Sequence, residues 1–189
     1  MEQRYYQIEN LQTRSDEESK DLYIEGYYSV FNSNYEVWEG VTESIAPGAF
    51  DDVLNSDVRA LYNHNDDLVL GRTTNGTFEI RQDDHGLWGR IKLNPNDTDA
   101  MNAYERVARR DITGCSFGFG IESETRTVSD DGTVHYTINK VNPLLECSIC
   151  TFPAYEATHI DARHKNEENI QKRMHEEWQM RMKAKLKGE

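Results

Sequence analysis

Short runs of β-branched and aromatic residues, broken by turn residues, recur along most of the chain. Residues 21–31 read DLYIEGYYSVF and residues 35–45 read YEVWEGVTESI, with Asn-Ser-Asn between them. Further runs of this kind follow at 57–64, 77–82, 87–93, 115–128, 134–141 and 144–152. Runs of this length between Asn, Asp, Gly and Pro are typical of strands. The sequence therefore predicts a mainly β protein.

Two segments interrupt the strands with helical patterns. After Pro47, the stretch GAFDDVLNS predicts a short helix with Phe50, Val53 and Leu54 on one side. A longer helix is predicted within NPNDTDAMNAYERVARRDITG, where Asp97 or Thr98 can cap the start and Gly114 lies beyond the end. Its apolar face comprises Ala100, Met101, Tyr104, Val107 and Ala108. The predicted class is α+β, mainly β with a few inserted helices, and not a regular βαβ fold.

The character of the chain changes at both ends. Residues 1–21 are polar and charged and predict a flexible leader, and residues 22–161 carry the predicted globular domain. Residues 162–189 predict a C-terminal amphipathic helix, since apolar side chains recur every four residues among Glu, Lys and Arg. This apolar stripe consists of Ile170, Met174, Trp178, Met182 and Leu186.

The charge excludes some partners. The formal net charge is −13, and residues 165–189 hold seven Lys or Arg against five Asp or Glu, so the rest of the chain carries the acidic excess. An acidic body repels phosphates, so no nucleic-acid partner is predicted. The acidic charge is consistent with a basic peptide partner and equally with a simple role in solubility.

No apolar run approaches the ~20 residues of a membrane span, and MEQRYYQIEN lacks secretory-signal features. A soluble, cytosolic protein is expected.

Three cysteines, an odd number, argue against a disulfide framework. Cys147 and Cys150 form a C-x-x-C motif, but in a strand residues three apart point to opposite faces. No second such motif completes a zinc site. We expect three free, partly buried thiols, with no metal site and no cofactor.

Three side chains stand out as candidates for hydrolytic chemistry. Ser116 lies in GCSFGFG, where glycines permit close approach of backbone N–H groups, although a strand with glycines at bulges explains the pattern equally. His64 lies at the end of an apolar run. This position suits a general base, and it equally suits a hydrogen-bonded histidine in a turn. Glu146 lies in LLECSIC, where it either pairs with a partner such as a histidine ring or faces water at an edge strand.

Five segments together resemble a known family. They are IAPGAFDDVL, ALYNHNDDLVLGRT, DDHGLWGRIKL, DITGCSFGF and LLECSICTFPAY. Their order and spacing resemble those of the prohead proteases of tailed phages, the HK97-like branch related to herpesvirus assemblins. The resemblance covers roughly residues 22–161 and implies that this segment is the serine protease domain.

The resemblance implies a compact, assemblin-like β-barrel that cleaves capsid-assembly proteins inside the assembling prohead in the host cytoplasm. The histidine of its N-H box corresponds to His64, the serine of its SFGF box to Ser116, and the acid of its E-x-S-x-x-T-x-P-A box to Glu146. The herpesvirus relatives use a histidine as the third member of the catalytic triad, so His135 is an alternative to Glu146 for that position. Cys115 departs from the family, where a larger apolar residue is common.

The implied substrates are the major capsid protein and its scaffold segment, with the chain itself as a further candidate and a homo-oligomer as a candidate assembly. A non-enzymatic scaffold or accessory protein is the main alternative, because the C-terminal helix suits that role. A cytosolic esterase is the second alternative, because Gly114, Ser116 and Gly118 match the G-x-S-x-G motif of the nucleophile elbow. The elbow requires a helix after the serine, whereas FGIESETRTV predicts a strand.

Overall fold

The computed structural model of the protein describes residues 2–6, 11–17 and 20–151. The chain divides into two units, Met1–Ala154 and Tyr155–Glu189. All described residues belong to the first unit. The predicted C-terminal helix and the division at residue 161 lie outside the described residues and stay predictions.

Strands dominate the described part of the chain, which has eleven strands, one α-helix and one 3-10 turn. The elements are β1 (Glu2–Tyr6), β2 (Gln12–Ser15), β3 (Leu22–Val30), β4 (Tyr35–Trp38), β5 (Val41–Ile45), β6 (Arg59–Tyr62), β7 (Asn65–Arg72), the 3-10 turn (Thr73–Asn75), β8 (Phe78–Gln82), β9 (Gly86–Lys92), α1 (Thr98–Ala108), β10 (Gly114–Val128) and β11 (Val134–Cys150). The mainly β prediction is confirmed.

The larger of the two sheets has seven strands and is built around β11. One edge of β11 pairs antiparallel with β10, whose other edge carries β1. The opposite edge of β11 has two parallel partners in succession: β5 pairs with residues 134–138 and β6 with residues 146–149. β4 and β7 extend the sheet beyond β5 and β6. Because β11 is long, β5 and β6 can both pair with the same edge of it, one after the other along its length.

The smaller sheet has four antiparallel strands in the order β2-β3-β9-β8. A parallel bridge between Phe31 and Ile45 joins the end of β3 to β5 of the larger sheet. One core cluster contains buried side chains from both sheets and from α1. Its fully buried members include Tyr28, Phe50, Phe78, Phe117, Phe119 and Leu87. Burial of such large apolar side chains favours packing of the two sheets.

The helix α1 occurs where the sequence predicts it, and Asp97 is its N-cap. The Asp97 carboxylate accepts hydrogen bonds from the backbone N–H groups of Asp99 and Ala100. The buried residues of α1 are Ala100, Ala103 and Val107, which lie on one helical face. The helix packs against β2 and β3. The predicted apolar face was therefore displaced: Met101 and Tyr104 are only half-buried and Ala108 is exposed.

The predicted helix over 48–56 is wrong. This segment is a series of turns, in which backbone N–H groups bond to carbonyls three residues earlier, as from Val53 to Phe50. Gly48 has a φ of 84°, outside the helical region. The burial pattern holds nonetheless, since Phe50 and Val53 are buried in the core. Tertiary packing of these two side chains fixes the segment, because a helix this short is costly to nucleate.

Two strands lie within residues 1–21, the predicted leader. β2 pairs with β3, from Gln12 opposite Glu25 to Ser15 opposite Leu22, and β1 pairs with β10. Backbone pairing thus extends to the N-terminal side of Leu22. Polar composition suggested a leader, but an antiparallel edge strand does not need apolar side chains on both faces, because one face can be exposed to water.

The cap of α1 gives a test of the fold. Asp97→Ala should lower the free energy of unfolding by about 1 kcal/mol, since two N–H groups of the first turn lose their acceptor. Asp97→Asn is the matched control and should retain most of the stability, because asparagine caps about as well. Denaturant unfolding measures both variants. Equal stability of the two variants would show that the cap contributes nothing here.

Candidate active site

A tight turn between β6 and β7 carries His64. Tyr62 and Asn65 are register partners at the ends of the two strands, which leaves Asn63 and His64 as a two-residue loop. Both have positive φ, 53° and 56°. Two consecutive left-handed residues are the signature of a type I′ hairpin turn. The left-handed conformation costs roughly 1–2 kcal/mol for a residue with a side chain, less for asparagine. His64 therefore occupies a position where glycine is usual.

Hydrogen bonds to the end of β11 hold this strained turn in place. The Asn63 N–H donates to the Ile149 carbonyl at 2.9 Å, and the Asn63 Oδ1 accepts from the Thr151 N–H at 2.8 Å. The His64 N–H donates to the Ser148 Oγ at 3.2 Å. Both turn residues are thus hydrogen-bonded to the same strand end, which fixes the backbone from which the imidazole of His64 extends.

The base of the hairpin is held by an ion pair. Arg72, the last residue of β7, donates from Nε and Nη2 to the two carboxylate oxygens of Asp57, each at 2.6 Å. These hydrogen bonds lower the pKa of Asp57 to about 2. The pair therefore favours the folded state above the ordinary pKa of 3.8, and this contribution is lost as the pH falls towards 2.

The ring of His64 pairs with the carboxylate of Glu146. His64 Nδ1 lies 2.7 Å from Glu146 Oε1, and only 12% and 6% of the two side chains are exposed. The other carboxylate oxygen, Oε2, accepts a 2.5 Å hydrogen bond from Ser148 Oγ. An ionised carboxylate can only accept, so Nδ1 carries a proton in this pair. The neutral ring then presents the lone pair of Nε2.

Ser116 lies one strand away from this pair, on β10. Cα registers place Ser116 opposite Ser148, and Gly118 opposite Glu146. Because side chains alternate along a strand, Ser116, Ser148 and Glu146 lie on one face of the sheet. The opposite face carries core residues, among them Cys115, Phe117, Cys147 and Ile149. Ser116 is fully buried.

His64 and Ser116 are not hydrogen-bonded to each other in this structure. His64 Nε2 is buried and has no hydrogen-bond partner among the described residues. Hydrogen bonds of this kind are often long in unliganded enzymes and tighten when a substrate binds. The fold brings His64 and Glu146 into contact and places Ser116 on the strand next to Glu146.

His135, the rival for the third position, lies elsewhere. It belongs to the first half of β11, where it is the register partner of Thr42 on β5. Its Nδ1 lies 2.7 Å from Thr42 Oγ1 and its Nε2 lies 2.9 Å from Ser44 Oγ. Both ring nitrogens are engaged by hydroxyls of β5, so His135 is not the partner of His64.

Two contributors to the site were missed by the sequence analysis. Ser148 contacts both Glu146 and the backbone of His64, and Asn63 fixes the turn. A signal for Ser148 existed, because alternation puts a residue two positions after Glu146 on the same strand face. The Asn-His pair was visible as well, but composition does not show that both residues adopt positive φ.

The three cysteines are free and buried, more deeply than predicted. Burial raises the pKa of Cys115 and Cys147, and it raises the pKa of Cys150 to about 12. They are held as thiols, which are poor nucleophiles. No cluster of three His, Cys, Asp or Glu side chains suited to a metal ion occurs within residues 2–6, 11–17 and 20–151.

The groups gathered here are those that a serine hydrolase uses: a hydroxyl, an imidazole and a carboxylate that fixes the ring. The family model of the caudovirus prohead serine proteases matches residues 9–173. The chain belongs to this family. No solved structure is significantly similar to it.

A curated relative is the prohead protease of Enterobacteria phage HK97. It is 29% identical over 149 residues, which cover 77% of this chain and 61% of the relative. The chain thus spans less than two thirds of the length of that relative.

The thiols yield a prediction that is independent of catalysis. Native protein should react slowly with an aromatic disulfide reagent, and all three thiols should react after denaturation. A pKa of about 12 for Cys150 lowers its thiolate population on the order of 10³-fold relative to an ordinary thiol. Absorbance of the released thiolate measures the rate. Rapid reaction of one thiol in the folded protein contradicts the buried assignment.

Proposed function

We propose that this protein is a serine endopeptidase that cleaves capsid or scaffold proteins during prohead maturation of a tailed phage. Membership of the prohead serine protease family and the similarity to the HK97 enzyme support the proposal. The observation that carries it is the largely buried His64–Glu146 pair, 2.7 Å between Nδ1 and Oε1, beside the strand of Ser116.

Ser116 is the proposed nucleophile and His64 the proposed base. The Ser116 oxygen attacks the scissile carbonyl carbon, and its proton moves to His64 Nε2, the nitrogen that has no partner among the described residues. The imidazolium then gives this proton to the leaving amine as the peptide bond breaks. A water molecule, deprotonated by the same nitrogen, hydrolyses the acyl-enzyme and restores the serine hydroxyl.

Glu146 is the proposed third member. Its carboxylate is almost fully buried, and a buried charge is costly unless it is paired and hydrogen-bonded. The positive charge that forms on His64 during attack lies next to this carboxylate and is stabilised by it. The same contact keeps the proton on Nδ1, which leaves Nε2 free to act as a base.

The proposed substrates are the major capsid protein and its scaffold segment, and the proposed location is the interior of the prohead in the host cell. The acidic body of the chain suits a basic peptide segment. Self-cleavage and a homo-oligomer are part of the proposal; nucleic acid and membranes are not. No helix in the described part of the chain is long and apolar enough to cross a bilayer.

An assemblin-like barrel is the proposed finer architecture. The bridge between Phe31 and Ile45 supports it, because it joins one strand of the smaller sheet to one strand of the larger. A core shared by both sheets supports it further.

Replacing each member of the proposed triad tests the function. Ser116→Ala, His64→Ala and Glu146→Gln should each lower the cleavage rate by about 10³-fold or more, because the members act as a unit. Co-expression with the major capsid protein of the same phage, followed by mass spectrometry of the capsid protein, measures cleavage.

His135→Gln is the matched control for Glu146→Gln, since His135 lies on the same strand and both of its ring nitrogens contact hydroxyls of β5. It should cleave nearly as fast as the native protein. A Ser116→Ala protein that still supports cleavage would point to the alternative, a non-enzymatic scaffold or accessory protein.

The C-terminal segment is proposed to recruit the protease into the prohead. Its apolar residues recur at a spacing of four, and the predicted helix would need a packing partner, since an isolated helix of this length is marginal in water. Trp178→Glu with Met182→Glu places two charges on the stripe. The control, Gln171→Glu with Gln179→Glu, adds the same charge beside it.

The stripe variant should cleave a free peptide as the native protein does but enter proheads less efficiently, as measured by its content in purified particles. The control should do both normally. If the stripe variant loses peptide cleavage, the segment belongs to the catalytic unit and the recruitment proposal is wrong.

A further inference from the structure

The Ser148 hydroxyl forms hydrogen bonds with both residues of the histidine–carboxylate pair. It donates to Glu146 Oε2 at 2.5 Å and accepts from the His64 backbone N–H at 3.2 Å. With the contact between His64 Nδ1 and Glu146 Oε1 at 2.7 Å, the bonds form a closed ring. Ser148 is fully buried, and its register partners are Ser116 on one side and Leu61 on the other.

We propose that Ser148 is a positioning residue, which sets the orientation of the Glu146 carboxylate and of the His64 turn together. The inference rests on the proposed function, in which these two residues serve Ser116. It assigns Ser148 no contact with the substrate. It explains how one side chain on β11 can position a carboxylate on its own strand and a histidine on the β6–β7 turn.

The hydrogen-bonding capacity of serine supports this role. A hydroxyl has one hydrogen to donate and two lone pairs with which to accept. In Ser148 the hydrogen is committed to Glu146 and one lone pair to the His64 N–H. With Oε2 held in this way, Oε1 is the oxygen directed at His64 Nδ1. The carboxylate is thereby prevented from rotating about its terminal torsion, which is otherwise broad.

The backbone of His64 gives the second reason. A φ of 56° is unfavourable for histidine, so contacts around the turn must hold it. The bond from its N–H to Ser148 is the contact made at the strained residue itself. Without it the turn can relax and displace Nε2 relative to β10. A displacement of about 1 Å of a catalytic group can reduce the rate on the order of 10²-fold.

Ser148→Ala is the direct test, with Ser148→Thr as the conservative variant that keeps the hydroxyl. Ser29→Ala is the matched control: Ser29 is also a fully buried strand serine, but its hydroxyl has no partner among the described residues. Steady-state cleavage of a peptide from the capsid protein gives kcat and KM. The rate of labelling by a fluorophosphonate probe reports the reactivity of the nucleophile.

Ser148→Ala should lower kcat and the labelling rate by about 10- to 100-fold with little change in KM, because the group acts on chemistry and not on substrate binding. Ser148→Thr should recover most of the loss, and Ser29→Ala should behave as the native protein. In a Glu146→Gln background the further loss from Ser148→Ala should shrink, since the two residues act through one network.

Several results overturn the inference. An unchanged kcat in Ser148→Ala is one, and a Ser148→Thr protein as slow as Ser148→Ala is another. If Ser148→Ala does not fold, Ser148→Cys replaces it, since a thiol donates and accepts only weakly, and native kcat in that variant counts against the role. Labelling that survives Ser116→Ala but is abolished by Ser148→Ala makes Ser148 the nucleophile instead.

The proposed function fails in a different way. If Ser116→Ala still cleaves the peptide at the native rate, the site assignment itself is wrong, whatever Ser148 does. If Ser116→Ala is inactive while Ser148→Ala retains native kcat, the function stands and only the positioning role is lost.

Discussion

The burial of one carboxylate shapes the site. Glu146 lies on β11, close to the core residues Cys147 and Ile149, and it is only 5% exposed. A carboxylate in that place needs hydrogen-bond donors for both oxygens, because desolvation is otherwise expensive. The imidazole of His64 supplies one donor and the hydroxyl of Ser148 the other. These bonds draw the β6–β7 turn against the end of β11.

The long strand β11 makes this arrangement possible. Its first half pairs with β5, which engages His135, and its second half pairs with β6, which leads into His64. The same strand is paired along its other edge with β10, the strand of Ser116. Residues separated by 30 to 82 positions in sequence therefore lie on neighbouring strand pairs, and backbone hydrogen bonds set their spacing independently of side-chain flexibility.

Local strain and rigid support are combined at the turn. His64 occupies a left-handed position that a glycine would fill without cost, so conformational energy is spent to place an imidazole there. The cost is offset by bonds from Asn63 and His64 to the strand end and by the ion pair of Asp57 and Arg72 at the hairpin base. The proposed general base, held on a two-residue turn, has little freedom to swing away from the sheet face that carries Ser116.

The sequence by itself determined the mainly β class, the helix after Asp97 and the identity of His64, Ser116 and Glu146 as candidates. Alternation and capping are local properties that backbone geometry enforces. The three candidate residues were chosen through motifs that resemble those of a protease family. Tertiary structure alone decided that residues 48–56 form turns, that residues 2–6 and 12–15 are strands, and that Glu146 rather than His135 contacts His64. These outcomes depend on which strands become neighbours and on packing across the core, and no local pattern encodes the register of β6, β10 and β11.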